Sequence, residues 1–144
     1  PAACVLLSPW LDLAGDGESH RTRSTYDPWF DPERMPAVAA HYCAAEAVRD
    51  PMISPVHADA SRLPPTLIQV GDHEILLSDS TDFADKLRGA GGHVDLHIWP
   101  DMWHVFQYFI GQMPESRKAI DDIGRFLRSE FSTDRRDQVP GQAA

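Results

Sequence analysis

Three short apolar runs do most to limit the folds open to this chain. Residues Ala3 to Leu7 form an unbroken apolar stretch that ends at Ser8-Pro9-Trp10. Thr66 to Val70 forms a second, bounded by Pro64-Pro65 and Gly71, and in the third Val94, Leu96 and Ile98 alternate with Asp95 and His97. Each is too short for a stable isolated helix and has the length and punctuation of a strand. The first two predict strands buried on both faces, as in a parallel sheet covered by helices. The alternation in the third predicts a strand with one wetter face near a sheet edge. Between the second and third lies a helical stretch in which Phe83, Leu87 and Ala90 share one face. Asp79 or Ser78 is placed to cap it, Asp82 and Asp85 lie early, Lys86 and Arg88 lie late, and Gly91-Gly92 ends it. Strand, helix, strand in this order is a βαβ unit, and parallel strands joined this way cross over right-handed.

The remaining text fills in around that unit. From Leu11 to about Pro36 it is irregular, with Asp16-Gly17, Asp27-Pro28 and Asp31-Pro32 as turn signals and Trp29 and Phe30 as large anchors. Met35 to Val48 predicts a helix, with Val38, Tyr42 and Ala45 on one side and Pro36 in the first turn. Pro51 to Pro65 reads as a linker of turns. A last helix starts near Pro114 with Ile120, Ile123, Leu127 and Phe131 on one side, which makes residues 1–133 one partial domain and 134–144 a flexible polar tail.

Composition bounds the function. Thirteen Lys and Arg against 22 Asp and Glu leave a net charge of −9 over 144 residues, which disfavours a nucleic-acid or anionic-membrane surface. A hydrophobic share of 42% with 24% charged residues is that of a globular chain. No apolar run approaches the roughly 20 residues of a membrane helix and no basic leader precedes the first strand, so a cytoplasmic protein without a membrane span is expected. The two cysteines, Cys4 and Cys43, read as small buried hydrophobes rather than a disulfide.

Reactive groups in open α/β sheets gather past the carboxyl ends of the strands. Here those positions are Trp10 and Asp12, then Gly71-Asp72-His73-Glu74, then Asp101-Met102-Trp103-His104. An acid after one strand and a histidine after the next is the second half of a Ser…Asp/Glu…His order. In that chemistry an imidazole takes the proton of a serine, and a carboxylate holds its tautomer. His104 is the candidate base. Glu74 and Asp72 compete as the acid, with Asp79, whose simplest role is a helix cap, behind them. Asp-His-Glu in consecutive positions cannot turn three ligands onto one ion, so neither a metal nor another cofactor is expected, and His73 reads as part of a solvated turn. Trp10 and Trp103 fit either a substrate pocket or the core. Asp12 reads as a loop support accepting from nearby N–H groups, and Asp101 as a turn former.

LLSPWLDL (Leu6 to Leu13), RDPMISP (Arg49 to Pro55), LPPTLIQVGDHEILLSDS (Leu63 to Ser80) and LHIWPDMWHVF (Leu96 to Phe106), in this order and spacing, resemble the bacterial hormone-sensitive-lipase-like esterases of the α/β-hydrolase fold. The resemblance implies the C-terminal half of that fold, its sixth to eighth strands with flanking helices. It also implies a carboxylic-ester hydrolase of the serine esterase type acting on a small-molecule ester. Glu74-Ile75-Leu76 stands where the family carries its acid. His104-Val105-Phe106 stands where it carries His-Gly-Phe, which makes Glu74 and His104 the catalytic pair and Trp10, Trp103 and Phe106 candidate substrate contacts. The family's Gly-x-Ser-x-Gly elbow and His-Gly-Gly loop have no counterpart here, and Ser8, Ser54 and Ser78 lack flanking glycines at the elbow spacing. The nucleophile half of the domain is therefore expected to be missing and to act as a partner of this one. A bare sheet edge inviting a homo-oligomer goes with that reading. The alternative is an inactive remnant, a binding or scaffold piece.

Overall fold

The computed structural model describes residues 1–137 of the chain. Its centre is a parallel three-stranded sheet of β1 (Cys4–Leu7), β2 (Thr66–Gly71) and β3 (Val94–Trp99), in the order β1-β2-β3. Cys4 pairs with Thr66 at one end and Gly71 with Trp99 at the other, so all three strands run out on the same side of the molecule. Every residue of β2 is buried. β1 departs from the doubly buried strand expected of it: it pairs with β2 alone and its residues are half-buried, with Leu7 exposed, because no described element covers its free edge.

Helix α3 (Leu77–Gly89) lies on one face of the sheet, where Phe83, Ala84 and Leu87 pack with Leu11, Ile68 and Val94. It starts two residues before Asp79, so neither Asp79 nor Ser78 is its cap. The buried Ile75 and Leu76 draw the chain into the core and begin the helix early. Asp79 instead reaches across to accept from the N–H groups of Leu11 (2.7 Å) and Asp12 (2.8 Å), which fixes the exit of β1 against α3. The free N–H of Ser78 is met by Ser19 Oγ at 2.8 Å, from the short α1 (Ser19–Thr22), and Ser78 Oγ accepts from the N–H of Ser19 in return.

The other long helix, α4 (Pro114–Asp137), takes in the first residues of the expected tail; residues 138–144 lie outside the described part. Among its described side chains Ser116, Ala119 and Phe126 are buried and Ile120, Ile123 and Leu127 half-buried, whereas Phe131 on the expected stripe is exposed. The small Ser116 and Ala119 let the helix approach polar anchors. The buried Gln69 of β2 donates to the carbonyl of Ala119 (3.0 Å) and accepts from the Gln107 amide, and Ser116 Oγ donates to the carbonyl of Phe106 (2.7 Å). The predicted helix from Met35 to Val48 is also shorter. Helix α2 spans Met35–Ala39, followed by turns and a 3₁₀ turn at Ala45–Ala47, with Val38 and Tyr42 in solvent. An apolar stripe with nothing to pack on cannot hold so short a helix, since packing supplies most of a helix's stability.

Cys4 and Cys43 are both free thiols, and burial pushes the Cys4 thiol above its ordinary value. Among the described residues no helix is long and apolar enough to cross a membrane.

Candidate active site

β2 ends at Gly71 because the chain must pass another backbone there: a Cβ at this position would lie 2.1 Å from the carbonyl oxygen of Met102. The close approach lets the N–H of His73 donate to that same oxygen and ties the turn after β2 to the loop after β3. Asp72 completes the tie. Its Oδ1 accepts from the N–H of Asp101 at 2.7 Å, so the carboxylate is spent on the loop and does not face His104. Asp101 takes a left-handed backbone at φ +58°, as a turn-forming Asp tolerates.

Glu74, two residues on, is fully buried. Its Oε1 accepts from Ser8 Oγ (2.7 Å) and from the N–H of Gly71 (2.6 Å), and its Oε2 lies 3.1 Å from Nδ1 of His104. Three donors converging on two oxygens suit the acceptor-only inventory of a carboxylate, which places the imidazole proton on Nδ1 and leaves Nε2 as an acceptor. Met102 and Phe106 anchor the histidine loop in the core on either side of His104, while its side chain stays one-fifth exposed. Phe30 meets the ring edge-on, at 4.6 Å between centroids. Phe30 is held by Asp27, whose Oδ1 accepts from the N–H of Trp29 and of Phe30 and whose Oδ2 accepts from the N–H of Ile75 beside the acid.

The three aromatic candidates separate. Trp10 is half-buried against Met35, Ile75 and Leu76 and lines a cavity of about 320 Å³ together with His20, Met35 and Pro36. Trp103 is half-buried beside Met102 and stacks edge-on with Phe109. Phe106 is fully buried beside Ala119, which corrects its reading as a substrate contact: it is a core residue that anchors the loop. Asp12 accepts from the N–H groups of Ala14 and Asp16, the loop-support geometry. Among the described residues no group of His, Cys, Asp and Glu is arranged to hold a metal ion.

Residues 1–108 match a family described by the alpha/beta hydrolase fold. The chain belongs to the α/β-hydrolase family. It is 41% identical over 129 residues to an acetyl-hydrolase of Streptomyces hygroscopicus and 38% identical over 130 residues to an esterase of Acinetobacter venetianus, covering 90% of this chain and 43% of each relative. The crystal structure of an esterase from the bacterial hormone-sensitive lipase family superposes with a TM-score of 0.87 at 44% identity, over 90% of this chain and 44% of that one. This α/β-hydrolase chain thus spans less than half the length of the relatives it matches.

The sequence marks Asp27 as a turn former, Phe30 as a large anchor, Ser8 as a serine without elbow glycines and Gly71 as a strand end, but ties none of them to the acid–histidine pair. Ser8 and Gly71 did carry a signal, a small residue closing an apolar strand, but only the structure shows what each one meets. Ser8, Asp101 and Val105 are the non-glycine residues with positive φ among the described residues, and all three border this site. Val105 is the costliest, a β-branched residue at φ +46°. Val105→Gly is expected to raise stability by about 1 kcal/mol, the left-handed penalty less the added freedom of glycine in the unfolded chain. A urea midpoint that rises at unchanged slope checks this; an unmoved or lower midpoint counts against strain at this residue.

Proposed function

We propose that this chain supplies the acid and the histidine of a serine-esterase site that cleaves small carboxylic esters by acyl transfer. The nucleophile and oxyanion donors come from residues outside these 144. The observation that carries the reading is the buried Glu74 carboxylate 3.1 Å from His104 Nδ1, at the ends of adjacent parallel strands, with the ring left partly open to solvent. The names of the relatives, acetyl-hydrolase and esterase, support the substrate class. The free edge of β1 supports a further strand beside it.

In this reading His104 Nε2 takes the proton of the attacking serine hydroxyl as the acyl bond forms, and returns it to the leaving alcohol. It then takes a proton from the water that attacks the acyl-serine and gives it to the serine oxygen as that bond breaks, which releases the acid and restores the hydroxyl. Glu74 holds the tautomer that makes Nε2 the base and stabilises the imidazolium between those steps. Trp10 and Trp103 are the candidates for substrate contact, one after β1 and the other after β3.

The test replaces the matched part of the Streptomyces acetyl-hydrolase with this chain. The exchange protein is expected to hydrolyse p-nitrophenyl acetate and to label with a fluorophosphonate, whereas the 144 residues alone do neither. A folded, labelled exchange protein without turnover counts against the reading. Labelling of the isolated chain at one of its own serines counts against an outside nucleophile.

A further inference from the structure

Ser8 is buried to 2% exposure at the exit of β1, and its hydroxyl is used in both directions. Oγ–H donates to Glu74 Oε1 at 2.7 Å, and Oγ accepts the N–H of Val105, the residue after His104, at 3.0 Å. One hydroxyl therefore joins the ends of all three strands. Its backbone sits at φ +44°, where glycine would be at ease and serine is not. A residue serving only the turn would gain by being glycine, so the strain points to the side chain as the part that matters.

We propose that Ser8 is a positioning residue for the acid–histidine pair, a role that rests on the esterase reading above. With Oε1 held by Ser8 and the N–H of Gly71, the carboxylate is fixed about its terminal torsion and Oε2 is aimed at His104 Nδ1. At the same time the bond to Val105 sets the height of the histidine loop above β1. Without the hydroxyl the carboxylate keeps one lateral donor and is free to turn. Ser8 is not itself a nucleophile here: its proton is committed to the carboxylate that also binds the imidazole, and its oxygen is buried.

The test uses ¹⁵N-histidine spectra of the full 144-residue chain, read at the His104 Nδ1–H proton, with Ser8→Gly and Ser8→Ala as variants. The parent is expected to show a downfield Nδ1–H resonance that Glu74→Gln removes. Ser8→Gly is expected to hold its Tm within about 5 °C, because relief of the backbone offsets the lost bond, yet to lose or shift that resonance. Ser8→Ala should lose it too, with a lower Tm. In the exchange protein Ser8→Gly should cut kcat by roughly 10- to 100-fold with KM nearly unchanged, the scale for a lost bond to a charged group that acts only through its partner. An unmoved resonance in both Ser8 variants while Glu74→Gln abolishes it overturns the role of Ser8 alone. A resonance that survives Glu74→Gln overturns the pairing itself. A Ser8→Gly chain too unstable to fold assigns the hydroxyl to holding the fold, and overturns the proposal as well.

Discussion

His104→Ala in the exchange protein is expected to lower kcat on p-nitrophenyl esters by about 10⁴-fold or more, the scale of measured triad deletions. The remaining rate would come from the oxyanion donors and substrate binding, which the substitution leaves in place. Glu74→Gln is expected to cost nearly as much with little change in shape. An amide presents a donor to Nδ1 where the carboxylate accepts from it, so the imidazole is driven to the tautomer whose Nε2 already carries a proton. The two substitutions together should cost little more than either alone, because the residues act as a unit. Steady-state kinetics with active-site titration checks all three variants. Full activity after His104→Ala would refute the assignment.

The second large effect is structural. Gly71→Ala is expected to destabilise the chain by about 3 kcal/mol, at the upper end of the range for overpacking a close-packed interior. The added Cβ would meet backbone, the Met102 carbonyl oxygen at 2.1 Å and its carbon at 2.4 Å, and not a side chain that can swing aside. Relief has to come from moving the loop that carries His104, so any protein that survives should also lose the Glu74–His104 contact. Urea unfolding measures the first effect and the Nδ1–H resonance of His104 the second. A variant with the parent midpoint would show that the two strand-end loops separate more easily than their hydrogen bonds suggest.

How much of this was legible in the chain follows from which signals are local. β2, β3 and α3 could be read because strand and helix periodicities sit next to each other between clear turn residues. Asp72, Glu74 and His104 came into view because strand ends are where a parallel sheet presents polar groups, and the choice of Glu74 over Asp72 rests on the family resemblance. The role of Asp79 could not be read. An acid in the first turn of a helix has the same local look whether it caps the helix or, as here, holds the backbone of Leu11 and Asp12. The packed face of α4 was legible in part. Ile120, Ile123 and Leu127 of the expected stripe are half-buried and Phe131 is exposed, while the buried Ser116 and Ala119 show their role only once Phe106 and Gln69 are seen to bond there. The helix expected at Met35 to Val48 failed where periodicity had no partner surface.

The hydrogen bonds of Ser8 also bear on the order in which the chain assembles. Glu74 and His104 are 30 residues apart, but Ser8 is 66 from Glu74 and 97 from Val105. Closing a longer loop costs more chain entropy before any contact repays it, and long-range pairings slow folding. The β2–α3–β3 unit can therefore bring acid and histidine together on its own, and β1 docks onto a pair that already exists. The final alignment of the site is then a late event in folding, set when β1 brings the Ser8 hydroxyl to Glu74 and Val105.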